Sequence, residues 1–304
     1  MSHDHDHGAA SSGRGRLAIA FGITAVVLIA ELIGAAITGS LALLVDAAHM
    51  LTDAGGLAIA LAAASLASRP ATTRRTWGWE RAEVLGATAQ AAILLAVGVF
   101  VLIEAVRRFF EPPEIVGGEL VIFGVIGLLG NVAAIIVLAS GRTANMNMRA
   151  AFLEVLNDAL GSVAVIVAAI VIAVTGFQLA DAIAAVLIGL LIIPRAVILL
   201  RDTTNVLLES TPKGLDLDAV RTHLLEVPHV QSVHDLHVSQ IATGLPVLTA
   251  HVVVDDTCFY DGHAPRMLDQ LQGCVAKHFD VQIEHSTFQL ELAAHAEHEH
   301  PTHD

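Results

Sequence analysis

Aromatic residues make up only 4% of this 304-residue chain, and cysteine and lysine are scarcer still, with two of each. A disulfide framework is therefore excluded: Cys258 and Cys274 both fall in the C-terminal part, where a reducing setting is the simpler assumption. At a formal net charge of −14 there is no basic stripe to neutralise phosphates, which excludes nucleic acid as a partner. The acidic surplus lies largely in the C-terminal part, where it suits cations and ordinary solubility alike. The opening Met-Ser-His-Asp-His-Asp-His lacks the basic-then-apolar order of a cleavable signal, so the first apolar run is expected to remain as an anchor.

What is abundant is apolar: 55% of the residues, with a mean hydropathy of +0.67, well above a soluble domain of this size. The excess is confined to residues 17–200. A bilayer core of about 30 Å needs about 20 apolar residues per helix, and six runs satisfy that. They are Leu17–Thr38, Leu41–Leu66, Ala82–Val106, Leu120–Ser140, Ala151–Thr175 and Leu179–Leu200. An even number of spans puts both termini on one side of the bilayer. Arg14, Arg16, Arg69, Arg74, Arg75, Arg81, Arg142, Arg149 and Arg201 all flank that side, whereas the opposite loops hold only Arg107 and Arg108. Cytoplasmic loops are the ones enriched in Arg and Lys, so both termini are expected in the cytosol, with the chain in a cell membrane.

From Leu215 the pattern becomes that of a soluble domain. Leu217–Val227 and Pro265–Phe279 carry helical spacing; Val230–Ala242, Leu245–Val254 and Val281–Leu292 read as strands, the first two joined by a Thr-Gly turn. The fold class is thus an α-helical six-span bundle followed by a small αββαβ domain of helices on a sheet. The expected divisions are a His-rich tail over 1–15, the six-span domain over 16–208, the soluble domain over 209–292, and a second His-rich tail over 293–304. The tails hold His3, His5 and His7, then His295, His298, His300 and His303.

Ionisable groups at membrane depth cost about 2.5–3.5 kcal/mol each on insertion scales and mark ion or proton paths. The second span carries His49 and Asp53, and the fifth carries Glu154 and Asp158. Each pair is one helical turn apart, so each projects from one helix face. Two such helices face to face offer one imidazole and three carboxylates, a donor set that suits a tetrahedral divalent cation such as zinc and offsets its charge in a low dielectric. Glu31, Asp46, Asn131 and Asp181 are read as supporting, cavity-lining or interface residues, and Gln90 and Glu104 are left unassigned.

With these residues in view, the chain resembles the cation diffusion facilitator family of zinc transporters over nearly its whole length. The matching stretches are Ser40-Leu-Ala-Leu-Leu-Val-Asp-Ala-Ala-His49-Met-Leu-Thr-Asp53, Trp79-Glu-Arg-Ala-Glu83-Val-Leu-Gly86, Asn157-Asp158-Ala-Leu-Gly161-Ser162 and Val233-His234-Asp235-Leu236-His237. The resemblance implies a homodimer, a metallochaperone-like cytosolic domain, and export of a divalent metal from the cytosol in exchange for protons. It implies a secondary transporter in the lipid bilayer, not an enzyme, with no prosthetic group and with Zn2+ both as substrate and as a ligand of the cytosolic domain.

Carried over residue by residue, the transport site falls on His49, Asp53, Glu154 and Asp158. Zinc members often have His where Glu154 stands. A carboxylate there makes the site more negative and harder, which leaves zinc first but brings cobalt, cadmium, iron and manganese into range. The loop from Ser68 to Glu80 has no His, so no metal is expected there, and Gly141–Met148 is short and His-free. In the soluble domain the resemblance points to His234 and His251 as ligands, completed by His285 and Glu291 on the last strand, with His263 joining through a shifted site. Thr287 stands where some members have an Asp. His237, His223, His229 and His278 are read as ordinary, partly exposed histidines. Arg81 and Glu209 match in position a charge pair that holds family dimers together. A membrane metalloprotease is the wrong class because no His-Glu-x-x-His is present. A membrane-anchored sensor or sequestering protein without transport would use the soluble histidines but has no need of His49 and Asp53.

Overall fold

A computed structural model describes residues 7–67, 69–139 and 146–296. His3, His5, His298, His300 and His303 of the expected tails lie outside the described residues, as does Arg142 in the connection 140–145. The described chain divides into two compact units, Met1–Ala58 with Ala89–Leu199, and Ile59–Thr88 with Leu200–Asp304.

Six long helices dominate: α1 (His7–Thr38), α2 (Leu41–Ala67), α3 (Arg81–Phe110), α4 (Gly117–Ala139), α5 (Met146–Thr175) and α6 (Leu179–Leu207). Among the described residues, five stretches are long and apolar enough to cross a membrane: Ala18–Thr38 of α1, Arg81–Phe110, Gly117–Ala139, Phe152–Thr175 of α5, and Leu179–Leu207. The remaining helix, α2, has 27 residues and so runs about 40 Å, also enough for a bilayer core. Large apolar side chains face outward along the bundle, among them Ile29, Ile33 and Ile37 on α1 and Phe100 and Ile103 on α3, as lipid contact requires. The chain is a multi-pass membrane protein.

Small residues let these helices approach closely, because lipid gives no hydrophobic drive for helix association and packing must supply it. A Cβ on Gly117 would stand 2.8 Å from the backbone nitrogen of Ala173 and 2.9 Å from the carbonyl of Ala169, so α4 and α5 meet there backbone to backbone. The core of this unit is correspondingly rich in alanine, with Ala42, Ala105, Ala168, Ala169, Ala182, Ala185 and Ala196 buried beside Leu41, Leu120 and Val165. Most helix ends run past the expected spans by a few residues, and α6 continues to Leu207 beyond Arg201.

The second unit holds α7 (Leu217–Leu225), β1 (Val230–Ala242), β2 (Leu245–Val254), α8 (Ala264–Lys277), β3 (His285–Glu291) and a short α9 (Ala293–Ala296). This is the expected αββαβ order. Asp216 caps α7, its carboxylate accepting from the N–H groups of Asp218 and Ala219. The sheet order is β1-β2-β3, with β1 and β2 antiparallel and β2 and β3 parallel. Gly244, at φ +76°, turns the chain between β1 and β2 in the left-handed region that favours glycine. One face of the sheet packs Val233, Leu236, Leu248, Val252 and Phe288 against Val220, Leu224, Met267 and Leu271 of the two helices. β3 begins four residues later than expected because Ile283 is committed elsewhere, donating its N–H to the Val275 carbonyl at the end of α8.

Candidate metal centres

His49 and Asp53 sit on α2 as their spacing predicts, His49 buried at 7% exposure, with His49 Nε2 3.3 Å from Asp53 Oδ2. Asp158 on α5 is buried at 3% exposure, and Glu154 lies one turn before it, half-buried. Asp53 and Glu154 lie in electrostatic range of each other, as do Asp53 and Asp158, so α2 and α5 bring the two pairs together. His49 Nδ1, Asp53 Oδ2 and Asp158 Oδ1 are buried with no hydrogen-bond partner among the described residues. Orphaned polar atoms are expensive in a membrane interior, and their presence on three of four neighbouring side chains fits a place for an ion.

A residue the sequence reading passed over belongs to this cluster. Arg195 on α6, immediately after Pro194, places Nη2 3.5 Å from Glu154 Oε1 and lies in electrostatic range of His49, Asp53 and Asp158. An arginine inside an apolar span is itself the signal that could have found it. On the other flank, Asp46 adjoins Asp158, and Glu31 adjoins both. Glu31, Asp46 and Asn131 are all buried, and Asn131 Nδ2 donates to Ser162 Oγ at 3.2 Å. Glycine makes room for these carboxylates: a Cβ on Gly127 would stand 2.6 Å from Glu31 Oε1, and one on Gly161 would run into Asp46. The result is a string of carboxylates from Glu31 through Asp46, Asp158 and Glu154 to Asp53.

The other polar residues of the spans are structural. Asp181 at the start of α6 accepts from the N–H groups of Leu41 at 2.7 Å and Ala42 at 3.3 Å, and from Ser40 Oγ. It therefore caps α2 from another helix, while Arg108 Nη1 lies 3.3 Å from its carboxylate. Glu104 pairs with the same Arg108, and Gln90 Nε2 donates to the Thr52 carbonyl at 3.2 Å.

In the second unit, register places His234 of β1 opposite His251 of β2, and Val253 of β2 opposite Glu291 of β3. The Glu291 carboxylate, 1% exposed, bridges the two imidazoles at 3.2 Å from His234 Nε2 and 2.6 Å from His251 Nδ1. Their donor atoms lie within 4.8 Å of one another, a spacing that collapse around one divalent ion would close. A bulge between His234 and His237 puts Asp235 at φ +48° and brings its carboxylate to 3.9 Å from His251 Nε2. Asp235 is a second neighbour that sequence spacing did not single out.

His285 and His263 do not join this group. β3 pairs His285 with Val247, six residues from the Glu291 level and so roughly 20 Å along the strand. Its ring packs edge-on against Trp77, centroids 4.8 Å apart. His263 immediately precedes α8 and is held by Asp261 at 2.9 Å. Thr287 lies opposite Thr249, and His229 and His237 pair with Asp255 and Asp235. Arg81 and Glu209 form an ion pair at 2.7 Å within one chain, with side chains 39% and 59% exposed.

Residues 17–208 match the family model of the cation efflux transmembrane domain, and residues 212–292 that of the cation efflux protein cytoplasmic domain. The metal cation efflux system protein CzcD of Cupriavidus metallidurans is 44% identical over 292 residues, covering 96% of this chain and 90% of that protein. The zinc transporter ZitB of Escherichia coli is 40% identical over 297 residues, 96% of this chain and 93% of its own. A cadmium, cobalt and zinc/H(+)-K(+) antiporter of Bacillus subtilis is 34% identical over 297 residues, 97% of this chain and 93% of its own.

Proposed function

The chain belongs to the cation efflux, or cation diffusion facilitator, family, and from that premise we propose that it exports a divalent metal cation, zinc first, in exchange for protons. The observation that carries this is the meeting of His49, Asp53, Glu154 and Asp158 from two apolar helices, with three of the four bearing buried donor atoms that have no hydrogen-bond partner among the described residues. A soluble-site sensor has no use for such a cluster between α2 and α5. The protein is a secondary transporter and not an enzyme.

Ligands must lose their protons to bind a metal, so at this site cation and protons compete for the same atoms. From the cytosolic side the ion replaces the protons of the cluster; helix rearrangement then opens the site outward, protons displace the ion, and the protonated carrier returns. The His49 imidazole and the adjoining carboxyls are the groups that carry the exchanged protons. Asp46 and Glu31 extend the carboxylate string away from Glu154 and give protons a route between the site and the α1 side of the bundle. Arg195 supplies a tethered positive charge beside Glu154 that stands in for part of the cation's charge when the site is protonated or empty.

The arginine-rich side of the spans is the cytosolic one, which puts both termini and the second unit's sheet in the cytosol of a cell whose membrane holds a homodimer. There His234, His251 and Glu291 would hold a zinc ion whose binding favours the dimer, and Arg81 with Glu209 braces the same region. No nucleic acid and no prosthetic group take part. Reconstitution in liposomes with a proton gradient tests the reading: wild type should move zinc, Asp53→Ala and Asp158→Ala should not. Undiminished flux in both variants would overturn the site assignment.

A further inference from the structure

A second cluster of metal-ligating side chains lies apart from the one at His234 and His251, at the helical side of the sheet. His223 on α7, Cys274 on α8 and His278, the residue that ends α8, bring one donor atom each within 4.8 Å of one another. Cys274 and His278 are one turn apart on one helix face, and the packing of α7 on α8 brings His223 to them, with His223 Nε2 2.8 Å from His278 Nδ1. The other ring nitrogen of His223 lies 3.2 Å from Glu226 Oε2. That is the carboxylate–histidine arrangement that fixes an imidazole for coordination through its other nitrogen, Nε2. We propose that His223, Cys274 and His278 form a further divalent-metal site, the second in this unit, selective for borderline ions such as Zn2+, Co2+ and Cd2+.

The donor set argues for that class of ion. One thiolate with two imidazoles is a zinc-type combination, and it discriminates against manganese and magnesium, which take oxygen donors. Donors of a tetrahedral ion stand about 3.3–3.7 Å apart given bond lengths of about 2.0–2.3 Å, so the two rings need open by only about half an ångström. His278 can supply that movement, because it is exposed and lies past the last turn of its helix. The place suits a cation for a further reason. His223 is in the last turn of α7 and His278 caps α8, so the negative ends of two helix dipoles converge on it. Burial and then the Glu226 carboxylate hold the Cys274 thiol above its ordinary range, which makes the metal-free side chain a neutral member of the core. A metal bound here would tie the C-terminal ends of α7 and α8 together.

The thiolate gives the test its specificity, since neither the transmembrane cluster nor the His234 cluster contains sulfur. Co2+ added to the purified full-length protein in detergent should produce a near-ultraviolet thiolate-to-cobalt charge-transfer band together with the visible bands of a tetrahedral ion. The band should disappear in Cys274→Ser, weaken in His278→Ala, survive unchanged in Cys258→Ser, and be quenched by added Zn2+. It should also survive in Asp53→Ala, which separates this proposal from the transport reading. Alkylation of the wild type, read by mass spectrometry, provides a measurement free of any folding effect: Zn2+ should protect Cys274. Absence of the band in wild type, its persistence in Cys274→Ser, or unprotected Cys274 at saturating Zn2+ would each overturn the site.

Discussion

The two clusters of histidine and carboxylate are built on opposite terms. In the sheet domain, Glu291 already holds His234 and His251 at 3.2 and 2.6 Å, so the group is compact and mutually satisfied before any ion arrives. In the helix bundle, His49, Asp53 and Asp158 keep buried atoms with no hydrogen-bond partner among the described residues, and Glu154 leans towards Arg195. A site that must bind and then let go gains from ligands that are costly to leave bare and can be claimed by protons, whereas a site that stays loaded gains from rigid strands. Strand register sets one, and rotation of two helices sets the other.

The widest gap between them should appear in transport. Asp158→Ala or Asp53→Ala is expected to bring proton-driven zinc flux down to that of empty liposomes, because each removes a donor and a proton carrier at once. His251→Ala, made in the sheet domain, should leave flux measurable and reduce its response to cytosolic metal. Equal loss in both sets of variants would mean that the sheet cluster is part of the transport path and would end the contrast.

Next in size is an effect on the bundle alone. Asp181 is 1% exposed and serves α2's first N–H groups and Arg108 together. Removing one member of a buried, hydrogen-bonded ion pair costs about 3–5 kcal/mol, since the other is left uncompensated. Asp181→Ala should therefore lower the melting temperature of the detergent-solubilised protein markedly, and Asp181→Asn, which keeps hydrogen-bonding capacity, should lower it less. A melting curve unchanged in Asp181→Ala would show that the cap contributes nothing.

Which of these features the sequence discloses follows from how local each one is. His49 with Asp53, and Glu154 with Asp158, are legible because helical periodicity alone puts each pair on one face. The six spans and the αββαβ order are legible because hydropathy and alternation are local too. Asp181's role is not, because its partners lie 139–141 residues away and a cap lent by another helix leaves no pattern in the flanking sequence. His285 looked like a ligand by type and strand, yet parallel pairing set its level at Val247, and register across a crossover is not written in spacing. Arg195 is legible as well, because an arginine between Pro194 and Ala196 stands inside an apolar span, where a charge is costly.

Glu154 and Arg195 give a smaller effect that sharpens the contrast. Glu154→His exchanges an oxygen donor for nitrogen and releases Arg195, which should favour zinc over manganese by about tenfold in relative flux, near 1.4 kcal/mol. Arg195→Ala removes a competing cation and should lower the KM for zinc while slowing release. Both are read from competing-metal uptake into one preparation of vesicles. No change of metal ratio in Glu154→His would place Glu154 outside the ligand set and leave the pair with Arg195 as its only task.

The smallest effect belongs to Arg81 and Glu209. Their pair is short, at 2.7 Å, but both side chains are substantially exposed, and such pairs are worth about 0–1 kcal/mol because water and salt screen them. Within one chain it ties the start of α3 to the segment just after α6. Arg81→Glu should consequently weaken dimerisation slightly in low salt and hardly at all in high salt, as measured by light scattering in detergent, and Arg81→Glu with Glu209→Arg should restore it. A large, salt-independent loss of dimer in Arg81→Glu, unrepaired by the double reversal, would mean that Arg81 contacts the other protomer directly.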